Sequence, residues 1–137
     1  MGALTEDRAI WRREGHIINI PVKAGALIYK GALVCSNAGY GAPAADEANL
    51  RFCGVAVEHV DNSAGLNGAE SVMVWQSGIF PMLKPSATAT DTGAVVAAVN
   101  DQTVNLLSVT TNDITCGRIV RILSSGEIEL KIDGYAY

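Results

Sequence analysis

The residues of this 137-residue sequence that could act as bases or metal ligands begin with its two histidines, His16 and His59. Two histidines are too few for the multi-histidine centre that a β-barrel metalloenzyme commonly uses. His59 lies between Glu58 and Asp61, which would suit a general base or a metal ligand. A solvated turn at a strand end explains the same residues and is the more common case. The sequence therefore predicts no metal and no cofactor, and a small β-barrel enzyme is a minor alternative.

The three cysteines offer a second possible chemistry. Cys35, Cys53 and Cys116 lie far apart in sequence and form no C-x-x-C pair, so neither a disulfide framework nor a zinc site is expected. A nucleophilic cysteine needs a neighbouring base, whereas Cys53 falls in an alternating apolar run where a thiol is usually inert packing. We expect three small buried side chains in a protein made in a reducing cytoplasm.

The N-terminal segment has residue types suited to binding. Trp and Arg are enriched at binding hot spots, although a frayed tail with an incidental Trp is an equally common interpretation. We expect residues 1–15 to form an extended arm that pairs with a strand edge and sets arginines against acidic groups of a neighbour. The predicted contact residues of the arm are Arg8, Ile10, Trp11, Arg12 and Arg13.

The stretch VEHVDNSAGLNGAESVMVW places a polar, glycine-rich loop between two alternating apolar runs. Asn and Gly tolerate positive φ and fix a tight reversal of the chain. Asp61, Asn62 and Asn67 are candidates for contact with a partner. A plain connection between strands is the alternative, and it is the more common role of such a loop.

The alternation of apolar and polar residues predicts the strands that would position these side chains. In EIELKID, apolar and charged residues alternate, which is typical of a half-buried strand. With CGRIVRIL and the turn SSGE this predicts a β-hairpin over residues 116–133, and VVAAV and TVNLL predict a second. HIINIPV is an expected edge strand because Pro21 lacks an N–H, and Gly54 and Gly78 are expected to bend two longer strands.

These signals predict an all-β protein. About eight strand signals recur at the spacing of sandwiches and barrels, while no helical stripe is capped at both ends. The expected architecture is a single β-sandwich or barrel domain over residues 16–137, jelly-roll-like, preceded by the extended N-terminal arm. SATATDTGA is expected to hold one short helical turn.

Composition excludes several classes of partner. The net charge of −4 argues against nucleic acid, because affinity for phosphate comes from clustered Lys and Arg. Apolar runs fall short of the ~18 residues that span a bilayer, so no membrane association is expected. A hydrophobic fraction of 49% with 18% charged residues indicates a folded body.

Three stretches resemble a family of small tailed-bacteriophage head proteins. They are LRFCGVAVEHVDNSAGLNGAESVMVWQSGIF, GAVVAAVNDQTVNLL and GRIVRIL, similar to the family's FxGVAxExxDNsxGxxGxxxVxVxxxGxF block, its DDQTV-like hairpin and its final GxVxxI strand. The similarity covers residues 17–133. The chain departs from the pattern at Asn100, where an acidic residue is common, and at Cys53, where Val is typical.

The resemblance implies a capsid decoration, or cement, protein without enzymatic activity. Such a protein would bind the outside of a phage head, bridge subunits of the major capsid protein and stabilise the shell. It would also associate with itself as a dimer or trimer. A carbohydrate-binding β-sandwich module is the leading alternative, which would show exposed aromatic side chains on a concave face.

Overall fold

The structure is a computed structural model that describes residues 2–9 and 16–133. Within these residues the regular structure is β-strand, apart from one 3-10 turn at Ala89–Asp91. The strands are β1 (Ile17–Pro21), β2 (Leu27–Ile28), β3 (Leu33–Asn37), β4 (Tyr40–Pro43), β5 (Arg51–Ala56), β6 (Val60–Asp61), β7 (Ser71–Trp75), β8 (Gly78–Leu83), β9 (Val95–Ala98), β10 (Val104–Leu106), β11 (Thr115–Ser124) and β12 (Glu127–Ile132). The predicted all-β class is confirmed.

The first half of the chain forms one antiparallel sheet of five strands, in the order β1-β7-β5-β3-β4. Its two outer strands approach each other through a parallel bridge between Val22 and Gly41, and the Lys23 N–H donates to the Gly41 carbonyl at 2.9 Å. The sheet is therefore strongly curled. The short strands β2 and β6 pair separately beside it.

The second half forms a similar sheet of five strands, in the order β10-β9-β11-β12-β8. It also curls, because Leu83 on one outer strand bridges in parallel to Thr103 beside the other. The Leu83 N–H donates to the Gln102 carbonyl at 2.9 Å. Bringing the outer strands together covers backbone groups that an open sheet would leave exposed.

The two sheets share a core, as a β-sandwich requires. Residues of β3 alternate in direction: Leu33 and Cys35 pack with the second sheet, while Val34 packs with β2, β6 and β7. Full burial of each large aliphatic side chain contributes roughly 1.5–3 kcal/mol. The largest members of the shared core are Leu33, Ile119, Ile128, Leu130 and Ile132.

The predictions that depend on residues close together in sequence agree with the structure. Both hairpins form, as β9–β10 and β11–β12, and Pro21 ends the outermost strand β1. A register shift lies beside Gly54. Thr88 and Asp91 supply a capping box to the predicted helical turn.

The assignment of each strand to a sheet could not be predicted from the alternation of apolar and polar residues. The run from Ser71 to Phe80 is divided at residues 76–77, so that β7 and β8 belong to different sheets. Each sheet is therefore built from its own half of the chain. A jelly roll, with its two Greek keys, distributes successive strands between both sheets, so this sandwich has a different strand order.

Candidate functional site

The predicted N-terminal contact residues fall largely outside the described part of the chain. Arg8 lies within residues 2–9 and is exposed. Ile10, Trp11, Arg12 and Arg13 lie outside the described residues. The role of the arm in binding stays a prediction.

Asn62 holds the glycine-rich loop in place. Its side chain is 2% exposed, and its Nδ2 donates to the carbonyls of Val22, Lys23 and Leu66 at 3.2, 3.0 and 3.0 Å. Its Oδ1 lies against Gly65, at the position that any Cβ there would occupy. The prediction of Asn62 as a partner contact is corrected, because its amide is buried and bonded within the chain.

Asp61 and Asn67 are exposed, but their side chains also bond to the backbone. Asn67 Oδ1 accepts from the Ala24 N–H at 2.8 Å, and Asp61 Oδ1 accepts from the Ser63 N–H at 2.9 Å. Hydrogen bonds from Ser63, with a smaller effect of His59, lower the pKa of Asp61 below its ordinary value. The three predicted loop residues thus fix the loop's shape, which leaves Leu66 81% exposed at its tip.

His59 and its acidic neighbours each make further contacts within the fold. Its ring packs against Tyr29, with centroids 5.4 Å apart and planes tilted by 56°. The Glu58 carboxylate accepts from the Met73 N–H at 3.3 Å, while Asp61 is engaged by Ser63. Among residues 2–9 and 16–133, no group of three or more His, Cys, Asp or Glu side chains is placed to hold a metal ion.

The thiols lie closer together than their sequence spacing suggests. Cys35 and Cys116 are buried as predicted, whereas Cys53 is only partly so. Burial, and then the neighbouring Cys53, raise the pKa of Cys35 to about 12. Burial, followed by Cys35, raises the pKa of Cys116. Because the thiolate is the nucleophilic form, these two thiols are poorly reactive at neutral pH.

Two carboxylates make contacts inside the fold, one between segments distant in sequence and one between neighbouring segments. Asp46 accepts from the backbone N–H groups of Thr111 and Asn112 at 2.9 and 2.8 Å, which joins the two halves of the chain. These bonds lower the pKa of Asp46. Asp91 pairs with Lys84 at 3.1 Å, and this lysine is only 3% exposed. Both contacts hold the fold together.

A shallow groove lies where the two halves meet. Tyr29, 56% exposed, stands at one side, and the turn at residues 101–102 at the other; the cavity is about 370 Å³. The groove is lined by Tyr29, Lys30, Gly31, Ala32, Asp101 and Gln102. An aromatic ring beside amide and charged side chains can bind a small polar molecule.

A second surface is the outward side of β11, β12 and β8, which we call the outer face. Directly opposed residues of antiparallel strands point to the same side, so the outer residues of β8 alternate with core residues such as Met82. Register shifts in β11 bring two further apolar residues outward. The large exposed apolar residues of the outer face are Ile79 (54%), Leu83 (39%), Val120 (38%) and Leu123 (39%).

Fold and surfaces together define an all-β sandwich with two candidate binding surfaces, the groove at Tyr29 and the outer face. No protein-family model matches the chain, and neither a curated protein nor a solved structure is significantly similar to it. No helix within the described residues is long and apolar enough to cross a membrane.

Proposed function

We propose that this chain is a structural virion protein that decorates the outside of a bacteriophage head. It would be made in the bacterial host cytoplasm, bind the major capsid protein, bridge neighbouring subunits and stabilise the shell. The resemblance of residues 17–133 to phage head proteins supports the class of function. The structural observation that carries the proposal is the outer face, where four large apolar side chains are exposed on a firmly bonded sheet.

A cement protein must resist deformation of the shell, and the body of this chain suits that task. Both sheets curl until their outer strands bridge, and a common core joins them. The loop at residues 61–68 is fixed by Asn62 and Asn67. Strain applied to one contact would therefore pass through closely packed groups to another.

Many weak contacts can produce strong attachment to a shell. Copies that bind both the shell and each other raise the effective concentration of every neighbouring contact, so overall avidity can exceed a single affinity by ~10²–10⁴. The N-terminal arm would add a second point of attachment for each copy. Its proposed contacts are Arg8, Ile10, Trp11, Arg12 and Arg13.

Deleting residues 2–14 tests this arrangement. We expect the truncated protein to remain folded, because the described core lies within residues 22–132, but to lose its occupancy of heads in electron-microscopy reconstructions. The control is Glu47→Ala on full-length protein, an exposed site on the body outside both candidate surfaces, which should decorate normally. Normal decoration by the truncated protein would remove the arm from the mechanism, and absence of the full-length protein from heads would refute the proposed function.

Carbohydrate binding is a second candidate function, favoured by the exposed Tyr29 ring at the groove. Aromatic faces combined with hydrogen-bonding side chains suit neutral sugars, and Lys30 and Asp101 balance each other in charge. If this function holds, full-length protein binds members of a glycan array and Tyr29→Ala reduces that binding at least tenfold. An array without hits would eliminate it.

A further inference from the structure

The outer face has two apolar margins. Along β8, Ile79 and Leu83 are 54% and 39% exposed, and Pro81 lies between them on the same side. Along β11, Val120 and Leu123 are 38% and 39% exposed. Strand β12 lies between these two strands. These two margins give a second protein apolar area to cover on either side of the charged strand.

The strand between the margins carries an ordered gradient of charge. At one end, Lys131 lies opposite Arg118 and the exposed Asp133 follows two residues later, so this end carries a net positive charge. At the other end lies Glu127, four residues away, or about 13 Å at ~3.4 Å per residue. Between them, Glu129 pairs with Arg121 at 3.5 Å. The outer face is therefore basic at one end, neutral in the middle and acidic at the other end.

Such a gradient is complementary to itself under one particular symmetry. Consider a two-fold axis that lies in the plane of the interface, crosses the strands and passes near Glu129. It places Lys131 of one copy over Glu127 of the other, and the same pair recurs on the opposite side of the axis. Ile79 then lies over Leu83 of the second copy. Packed sheets are ≈ 10 Å apart, so these outward side chains would meet.

The other in-plane axis, parallel to the strands, gives unfavourable contacts. It places Lys131 over its own counterpart and Glu127 over its own counterpart, and like charges placed together across an interface are costly. It also sets the β8 margin over the charged Arg118 of β11. Under the first axis the neutral Glu129–Arg121 pair lies over its own counterpart, so the charges at the two ends distinguish the arrangements, and they select the first.

We propose that the outer face binds a second copy of this chain, as a two-fold dimer whose axis crosses the strands. Opposed strands β12 form the centre, the Lys131–Glu127 pairs fix the direction, and each apolar margin packs against the same margin of the second copy. This inference deepens the self-association included in the proposed function by naming its surface and symmetry.

Sedimentation of the purified full-length chain tests the dimer. We expect a reversible monomer–dimer equilibrium with a Kd below about 1 mM, the weak end of measured affinities. Ile79→Lys should raise that Kd by about tenfold or more, since a charge at an apolar margin would be buried on association. Protein that stays monomeric up to ~1 mM, or that forms a trimer instead, would overturn the proposal.

Exchanging the charges of Lys131 and Glu127 distinguishes the proposed two-fold dimer from nonspecific association and from misfolding. Lys131→Glu and Glu127→Lys should each weaken the dimer several-fold, and the double variant should restore it because the opposed pairs are again of opposite sign. Glu47→Lys, on an exposed loop outside both candidate surfaces, is the matched control and should leave the Kd unchanged. Failure of the double variant to recover, with each variant shown to be folded by circular dichroism, would contradict the two-fold register.

The dimer and the proposed virion function fail in distinguishable ways. A monomeric protein that still decorates heads would remove the dimer and leave the proposed function standing. A dimer that responds to the charge exchange but is never found on heads would support the dimer and refute the proposed function.

Discussion

At the scale of single residues, Asn62 illustrates how a residue suited to surface recognition acts inside the fold. Its amide nitrogen bonds three carbonyls, two of them on the segment that follows β1 and one within its own loop. The two N–H groups of one amide therefore join the end of β1 to the turn at residues 63–68. Gly65 leaves the space in which the Oδ1 lies, which a Cβ would fill.

We predict that Asn62→Ala lowers the free energy of unfolding by roughly 1–3 kcal/mol, because it removes the hydrogen bonds from the amide to three carbonyls, which then keep only their backbone donors. Asn67→Ala is the control: its one bond to Ala24 is exposed, so water can replace it and the loss should be about 1 kcal/mol or less. Urea denaturation at neutral pH measures both. Equal losses for the two variants would contradict the assignment of Asn62 as the residue that contributes most to fixing the loop.

At the scale of elements, the sequence predicts those features that depend on neighbouring residues. Strict alternation from Glu127 to Ile132 has one physical explanation, a strand with one face in the core, and the structure agrees. In β11 the bulges turn Val120 and Arg121 to the same side, which breaks the alternation. A bulge is a property of two paired strands, so one strand's sequence specifies it poorly.

Contacts between distant elements were the least predictable part of the candidate sites. The bond from Asp46 to Thr111 and Asn112 joins residues that are 65 and 66 positions apart, and no local pattern encodes that pairing. The same holds for the groove between Tyr29 and Asp101. The polar, glycine-rich loop was recognisable as a turn from its composition, whereas the burial of Asn62 depends on the Val22 and Lys23 carbonyls from another segment.

The carboxylates that link elements predict how stability depends on pH. Hydrogen bonds from Thr111 and Asn112 lower the pKa of Asp46 below its ordinary 3.8, and Thr88 and then Lys84 lower that of Asp91. A lowered pKa in the folded state adds stability above the unfolded pKa, and that stability is lost as pH falls through the folded value. We therefore expect unfolding free energy to fall as the pH drops below ~4.

Urea unfolding at several pH values measures this effect, and Asp46→Asn isolates one contribution. The amide cannot ionise, so the variant should be less stable at neutral pH and should lose less stability on acidification. The control is Gln102→Asn, which exchanges one exposed, non-ionisable amide for another and should leave the slope nearly unchanged. If the unfolding free energy depends on pH equally in Asp46→Asn and in the unsubstituted protein, the link between the two halves does not depend on the charge of Asp46.

At the scale of the whole molecule, two sheets from separate halves of the chain are joined by one large shared core, while the first half adds a smaller cluster of its own. Leu33, Cys35 and Val55 from the first sheet pack in the same cluster as Ile119 and Leu130 from the second. The Leu33 N–H also donates across to the Asp101 carbonyl at 2.8 Å. Separating the sheets would expose apolar surface on both, at ~25 cal/mol per Å².

We predict that thermal unfolding of the full chain is a single cooperative transition. A fragment ending at residue 76 should remain largely unfolded, because Leu33 and Val55 would lose the apolar neighbours that cover them. Calorimetry tests the first expectation through agreement between the calorimetric and van't Hoff enthalpies, and circular dichroism of the fragment tests the second. Two resolved transitions, or a folded fragment, would mean that the halves are independent units. A protein that bridges subunits would then flex between its sheets, instead of transmitting force as one rigid body.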